Sequence, residues 1–485
     1  MQTTAKQFRL IPVHQAAHFD EAVGVFLAKS HGEQKRPGLS SAQVRLVQKD
    51  PIGGDERFDR EGMYPVGCGR GRCDDKSPDG KRKEGKCSAL LVAEDLGVDN
   101  DPVYKQLLSE TLACDSKGGV RSTQLPEIIK MGNACFGKTG EEFILKWSMS
   151  VVAAIVEQSA NGYAPVSGEK SARDVFEHFV KEGKFRDEKA IAYIRKQLER
   201  GEEHHESVTE LDYICRAMQR CTKADDAEEF VLFALTRLYD TQLRMQALVD
   251  DYRSGKATDR GHSEEFPINA VLGGQERRLR AILIHSDESF AHRAAAYLGY
   301  NITAVRRSSG NVQLFASGKV QHLSLGTTVA MLRWLDGDAS VKSLPFNDLT
   351  DGKELFLSAE GEVLGVSHWH YFKAAEQVFN GSATHTDVPA TEICSQAIID
   401  VLRCAFIPVG SGSGRRNGAS EGSKKSKRET STAETIPSNS NKVAKRRVPK
   451  AQRGFANSAP SLTKRLGHLP APRLQYRYCW ILPKR

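Results

Sequence analysis

The most informative stretch of the sequence is His14-Gln15-Ala16-Ala17-His18-Phe19-Asp20-Glu21. It follows a short apolar run at residues 8–13 and precedes a helix-like segment at residues 22–29. Two imidazoles and two carboxylates therefore fall where a buried strand is expected to end and a helix to begin. Open α/β sheets bind their ligands at that position, outside the carboxyl ends of the strands.

The residue types in this stretch predict a divalent metal site. Imidazole nitrogens and carboxylate oxygens together suit Mn, Mg, Fe or Zn. His14, His18 and Asp20 would share one face of a regular strand, and a sharp turn would also bring them together. The alternative, a polar loop without a ligand, stays open because short His/Asp patterns often arise by chance.

Length and composition predict a multi-domain soluble protein. The chain has 485 residues, of which 39% are hydrophobic and 27% are charged. This length exceeds that of one compact core, and no apolar run has the length of a membrane-spanning helix. The first nine residues lack the apolar core of a signal peptide. The ten cysteines lack the spacing of small secreted domains, which favours reduced thiols and a cytoplasmic location.

Charge is distributed unevenly along the chain. Residues 411–485 carry eighteen Lys and Arg against three Glu, a net of +15, whereas residues 1–410 carry a net of −7. The tail is also rich in Ser and Gly, so we expect it to be disordered. Its basic runs suit a phosphate backbone or nuclear import, which would make the location nuclear or nucleoid-associated. These runs contain Lys424, Lys425, Lys427, Arg428, Lys445, Arg446 and Arg447.

The pattern of apolar residues predicts an α/β fold in several parts. Residues 1–165 alternate short apolar runs with helical segments, which is typical of a parallel sheet. Residues 166–262 have apolar residues at helical spacing and form an all-helical insert or connector. Residues 263–410 return to α/β patterning and form a smaller C-terminal domain, and residues 411–485 form the tail.

Three later acids are further candidate ligands, and the first of them lies, like the opening stretch, just beyond a predicted strand. Asp50 lies just beyond an apolar run at residues 44–47, with Gly53 and Gly54 close behind, and Asp59 follows in a charged segment. Asp115 closes a predicted helix at residues 101–114. The segment at residues 49–86 has little apolar content and predicts long loops. Its basic part, residues 66–86, predicts an exposed insertion.

The order of these histidines and acids along the chain resembles the motif order of the DHH-type phosphoesterases. Within that group it resembles the Myg-like proteins, which are assigned as metal-dependent 3′–5′ RNA exonucleases. The first motif of that family looks like His14, His18, Asp20 and Glu21, and the later motifs look like Asp50, Asp59 and Asp115. The order and spacing fit over residues 8–120, and a weaker similarity continues through residues 280–410. The resemblance implies a DHH-like parallel-sheet domain closed by a smaller substrate-binding domain.

The resemblance also implies a metal-dependent phosphoesterase acting on RNA, an oligonucleotide or a nucleotide. One or two Mn²⁺ or Mg²⁺ ions are expected, with catalytic roles for Asp20, Asp59 and Arg60. The implied metal ligands are His14, His18, Asp20, Asp50, Asp59 and Asp115.

The chain departs from the family after Asp59, where Arg60 and Glu61 replace two imidazoles. Arginine does not ligate a metal or carry a proton near neutral pH. The alternative function is therefore a catalytically inactive DHH-like module that binds RNA, a nucleotide or another protein.

The C-terminal domain offers a second phosphate-binding segment. Arg306 and Arg307 follow a predicted strand and precede a turn at Ser308, Ser309 and Gly310. Arginine and serine side chains donate hydrogen bonds to phosphate oxygens, and Arg60 is the matching candidate in the first domain. An ordinary hairpin turn is the equal alternative. The expected partners are a phosphate-containing substrate and, through the tail, nucleic acid, with no membrane.

Overall fold

The computed structural model describes residues 7–48, 51, 53–77, 82–117, 120–222, 224–342, 357–359, 361, 363, 366, 368–381 and 388–406. Asp50 and the predicted basic tail, residues 411–485, lie outside this part of the chain. The described residues belong to one compact unit.

A small parallel sheet forms the N-terminal part of the fold. Strand β1 (Leu10–His14) pairs in parallel with β2 (Gln43–Val47), and helix α1 (Phe19–Lys35) connects them. Residues 63–66 bridge the other side of β1, also in parallel, through the amide groups of Tyr64 and Val66. The carboxyl ends of all three segments therefore meet at one edge of the sheet.

Helices surround this sheet and continue beyond it. They are α2 (Gly54–Glu61), α3 (Ser88–Leu96), α4 (Pro102–Lys117), α5 (Leu125–Phe136), α6 (Glu141–Asn161), α7 (Ala172–Lys181), α8 (Glu188–Glu202), α9 (Leu211–Cys221) and α10 (Ala224–Ser254). Capping is visible in the sequence at α7 and α8, where Ser171 and Asp187 accept hydrogen bonds from the amides of Asp174 and Ala190. Such caps satisfy amides that the first helical turn leaves without partners.

A second, mixed sheet forms the C-terminal part. Its strands lie in the order β3-β4-β5-β6-β8-β7, and only β4 and β5 pair in parallel. The strands are β3 (His262–Leu272), β4 (Gln275–His285), β5 (Ile302–Arg306), β6 (Val312–Ala316), β7 (His370–Phe372) and β8 (Gln377–Asn380). The accompanying helices are α11 (Ala291–Tyr297), α12 (Gly326–Asp336), α13 (Ala339–Lys342) and α14 (Ser395–Cys404).

The central strands of this sheet are buried on both faces. Along β4, Ile282 and Ile284 pack into the core shared with the helical body, whereas Ala281 and Leu283 pack into a separate C-terminal core. Alternate residues of a strand point to opposite faces. The sheet is therefore held between two apolar layers, which explains the continuous apolar run in the sequence of β4.

The structure confirms the predicted mixed α/β class, including the parallel pairing of the first two strands. The specific DHH-like arrangement and the boundaries at residues 165 and 262 stay predictions. In the described part of the chain, no helix is long and apolar enough to cross a membrane.

The structure corrects in part the predictions of loops over residues 49–86 and of an exposed insertion over residues 66–86, since the described residues after α2 are largely irregular but not all are exposed. Helix α2 lies within this segment, residues 63–66 join the sheet, and Cys68, Cys73 and Asp74 are buried. The sheet segment was missed because Pro65 interrupts its short apolar run. Proline has no amide hydrogen, and here the neighbouring amides of Tyr64 and Val66 make the bonds to β1.

Helix α11 packs on the C-terminal sheet through His292, whose ring stacks on Phe315 with 4.2 Å between ring centroids. Burial, together with the charges of Arg293 and Arg307, lowers the pKa of His292 to about 4. The folded state therefore binds fewer protons than the unfolded state between about pH 4 and pH 6.5. Stability must fall as the pH decreases through this window.

We expect the protonation of His292 to lower the free energy of unfolding by roughly 1–2 kcal/mol when the pH is reduced from 7 to 5. Urea unfolding at the two pH values measures the loss, and His292→Phe, which retains a stacked ring, should show a smaller acid sensitivity. An equal acid sensitivity in the variant would contradict this assignment.

Candidate metal centre

The candidate site begins where β1 ends and α1 begins. Between His14 and His18 the chain makes a tight turn in which Ala16 has a positive φ of 53°. Asn133 of α5 fixes this turn by donating a hydrogen bond of 3.1 Å to the Ala17 carbonyl oxygen. The two imidazole rings consequently lie edge to face, with 5.5 Å between centroids. The turn, rather than a shared strand face, brings the two imidazoles together.

Glu21 lies between the two histidines. Its side chain is 4% exposed, and Oε1 lies 2.8 Å from His14 Nε2. Oε2 accepts a 2.5 Å hydrogen bond from the backbone amide of His18. One ligand atom from each of His14, His18 and Glu21 lies within 4.8 Å of the other two. Such a spacing suits three ligands of one metal ion, and this group is the one that the described residues form.

The His14–Glu21 contact is an ion pair. Burial alone would lower the pKa of His14, but the charge and hydrogen bond of Glu21 outweigh it and raise the pKa to about 10. Burial would raise the pKa of Glu21, and the charge of His14 instead holds it well below its usual range. Without a metal ion the buried carboxylate is therefore ionised beside a protonated His14, and a metal ion held by both residues would have to displace the His14 proton.

Further acids surround this group. Asp20 is buried, and its Oδ2 accepts a 3.3 Å hydrogen bond from the amide of Ser88 at the start of α3. Burial, followed by the charges of Glu21 and Asp115, raises the pKa of Asp20 well above its usual range. Burial, with the charges of Asp75 and Glu21, likewise raises the pKa of Asp115 to about 6. Like charges in a poorly solvated site disfavour the ionised form of each carboxyl group.

Arg82 compensates part of this negative charge. Its Nε lies 3.1 Å from Asp75 Oδ2, and its terminal nitrogen forms an ion pair with Asp115. One guanidinium thus joins the segment after the first sheet to the last turn of α4.

Asp59 and Arg60 are placed differently. Asp59 lies on α2 and accepts a 2.7 Å hydrogen bond from Arg72, which also pairs with Asp55. Arg60 is exposed on the same helix. In the part of the chain that the structure describes, Asp59 forms its ion pair with Arg72 rather than with His14 or His18.

The C-terminal loop at residues 306–311 is a hairpin turn between β5 and β6. Arg306 donates a 2.7 Å hydrogen bond to the Ile393 carbonyl oxygen, and the amide of Ser308 donates to Asp287. Ser309 donates to Asn311, and Gly310 supplies the positive φ of the turn, 88°. These bonds stabilise the hairpin itself, as the structural alternative predicts.

Arg307 is the member of this hairpin with unused bonding capacity. It donates to the Asp287 carbonyl oxygen and to Gln313, whereas its Nε is buried without a hydrogen-bond partner. Burial lowers its pKa. Arg307 is half-buried as a residue, and arginine side chains are common ligands of anions.

Sequence reasoning missed three residues of the site. Glu21 belongs to the first motif but lies outside the predicted ligand set, and Asp75 and Arg82 fall in the predicted exposed insertion. The signal for Glu21 was available, because an acid three residues after a helix N-cap commonly turns back to it. No comparable signal marks Asp75 or Arg82, whose positions depend on the fold of the segment after the first sheet.

Gly67 controls the space beside Glu21. A β-carbon at this position would lie 2.7 Å from Glu21 Oε1, and the backbone φ is +68°. Gly85 has a similar φ of +65° but open space around it. Substitutions at the two glycines therefore distinguish the effect of backbone strain from the effect of contact with Glu21.

We expect Gly67→Ala to displace Glu21 and weaken Mn²⁺ binding about tenfold or more. Gly85→Ala should introduce a similar backbone strain but leave the Mn²⁺ affinity unchanged. Isothermal titration with Mn²⁺ measures both variants. Equal affinities for the two variants would show that close approach at Gly67 does not position the carboxylate.

Comparison with known proteins gives little further information. No protein-family model matches the chain, and no curated protein matches it. A solved structure of an uncharacterized protein from Helicobacter pylori G27 aligns over 68% of this chain and 90% of that chain, with 9% identity and a TM-score of 0.23. Similarity at this level supports no conclusion about fold or function.

Proposed function

We propose that this protein is a metal-dependent phosphoesterase of the DHH type that hydrolyses a phosphodiester in RNA, an oligonucleotide or a nucleotide. The observation that carries the proposal is the convergence of His14, His18 and Glu21 at the carboxyl edge of a parallel sheet. Ligand sites of open α/β sheets occupy this edge.

The residues present fit a divalent cation. Buried carboxylates that crowd one another are costly unless a cation compensates them, and Asp20, Glu21, Asp75 and Asp115 interact in this way. His14, His18 and Glu21 would hold the ion, and Asp20 lies beside them. Oxygen ligands with imidazole favour Mn²⁺ or Mg²⁺. A bound ion of this kind would acidify a water molecule and stabilise charge on a phosphoryl oxygen.

The protein residues have distinct roles in this proposal. Asp20 lies beside the ion site, and the proposal gives its carboxyl group the role of general acid toward a leaving oxygen. The amide of Ser88 holds the Asp20 side chain toward the site. In this proposal Arg307 of the C-terminal hairpin contacts the phosphate, and the basic tail adds affinity when the substrate is a nucleic acid.

A binding module without catalytic activity is the second candidate. The arginines favour it, because Arg72 pairs with Asp59 and Arg82 pairs with Asp75 and Asp115. Those carboxylates have partners before any metal is bound. In this case the protein would bind a phosphate-containing ligand and release it unchanged.

The two candidates differ in one assay. Wild-type protein is incubated with Mn²⁺ and either bis(p-nitrophenyl) phosphate or a short end-labelled RNA. We expect metal-dependent hydrolysis that falls by about 100-fold or more in Asp20→Asn, because a positioned acid contributes that much to the rate. Asp259→Asn, which alters an acid that is 81% exposed, should retain activity. Binding of the RNA without cleavage by the wild type would favour the second candidate.

A further inference from the structure

Arg82 divides the carboxylates of the candidate centre into two groups. Glu21 lies with His14 and His18 within 4.8 Å. Asp75 and Asp115 instead share the guanidinium of Arg82, which reaches one carboxylate with Nε and the other with a terminal nitrogen. Glu21 and the two histidines thus form a compact set of possible metal ligands. Asp75 and Asp115 already have a cation, the guanidinium of Arg82.

The position of Arg82 is held by the backbone. Residues Lys76 and Arg82 form an antiparallel bridge, and the amide of Lys83 donates a 2.6 Å hydrogen bond to the Asp75 carbonyl oxygen. The Lys83 ammonium group also donates to the carbonyl oxygens of Gly71 and Asp74. Several independent contacts therefore keep Arg82 next to Asp75.

Asp75 and Asp115 interact through their charges with Asp20 and Glu21, which makes them the candidate ligands of a second metal ion, and Arg82 already pairs with both. Two-metal phosphoesterase sites hold ions about 3.5–4 Å apart and require ligands for both. An arginine side chain stays protonated at all physiological pH values, so its charge is permanent. Asp59, a further candidate ligand, is paired with Arg72 in the same manner.

We propose that the centre binds a single divalent ion through His14, His18 and Glu21, and that Arg82 takes the place of a second ion. This inference rests on the proposed metal site and specifies its stoichiometry. Arg82 is a positioning residue, since it acts through the two carboxylates and compensates their charge permanently.

The test is metal stoichiometry, which does not depend on turnover. Full-length protein is dialysed against Mn²⁺, and bound manganese is counted per chain. The wild type should bind one ion. Arg82→Gln frees Asp75 and Asp115 and should bind a second ion. Lys86→Gln removes a nearby cation that pairs with Glu94 instead, and this variant should still bind one.

Each result has a separate meaning. Two ions in the wild type would overturn the inference and leave the proposed function intact, whereas no ion would overturn the proposed metal site itself. One ion in a folded Arg82→Gln variant would refute the role of Arg82.

If Arg82→Gln does not fold, Asp115→Asn in the wild-type background provides the second measurement. Asp115 is expected to be a partner of Arg82 and not a ligand, so the variant should bind its single ion within about threefold of the wild-type affinity. A loss of more than tenfold would show that Asp115 ligates the ion and would refute the inference.

Discussion

Glu21→Gln is expected to lower the Mn²⁺ affinity of the protein by at least about 100-fold and to abolish metal-dependent hydrolysis with it. The variant has nearly the same size but loses the buried negative charge that lies 2.8 Å from His14 Nε2. A neutral amide offers a metal ion a much weaker oxygen ligand. Isothermal titration and the hydrolysis assay measure the two effects.

The control for this prediction is Glu142→Gln. Glu142 is 74% exposed on α6, where it pairs with Lys146, so its replacement should leave both measurements unchanged. The circular dichroism spectrum of each variant shows whether the fold is retained. Wild-type Mn²⁺ affinity in a folded Glu21→Gln variant would remove Glu21 from the ligand set.

Arg333→Leu is expected to destabilise the protein by about 3–5 kcal/mol, since it leaves several buried carbonyl groups without donors. Arg333 is fully buried. Its guanidinium donates to the carbonyl oxygens of Leu357, Ala359, Gly361 and Trp369. One buried guanidinium therefore donates hydrogen bonds to four backbone carbonyl groups.

Urea unfolding monitored by tryptophan fluorescence measures the loss, because Trp369 is itself part of the network. Arg278→Leu is the matched control, since Arg278 is exposed on β4 of the same sheet, and it should change the unfolding free energy by less than about 0.5 kcal/mol. Similar losses in the two variants would show that the carbonyl network contributes little.

The local pattern of apolar residues was enough to predict much of the fold. The apolar runs at β1, β2, β4 and β5 and the helical spacing at α7–α10 correspond to the observed elements. The residues around Arg333 show the limit, because nothing in the sequence indicates that one arginine binds carbonyl groups more than twenty positions away. Long-range hydrogen bonds leave no periodic signal.

The candidate site was predictable only where its residues are adjacent in sequence. His14 and His18 belong to one turn, so their spacing predicts them as ligands, whereas Glu21 at the start of the next helix is absent from the predicted ligand set. Asp75 and Arg82 reach the site through a segment with irregular backbone, and composition alone placed them in an exposed loop. Asp59 shows the reverse case, since its motif position suggested a ligand and its hydrogen bond goes to Arg72.

Manganese anomalous scattering from a crystal of the protein soaked in Mn²⁺ tests the central claim most directly. We expect one strong peak in contact with the imidazole nitrogens of His14 and His18 and a carboxylate oxygen of Glu21. A crystal that shows no peak there, or shows its peak at Asp59 instead, would contradict the assignment of this turn as the metal centre.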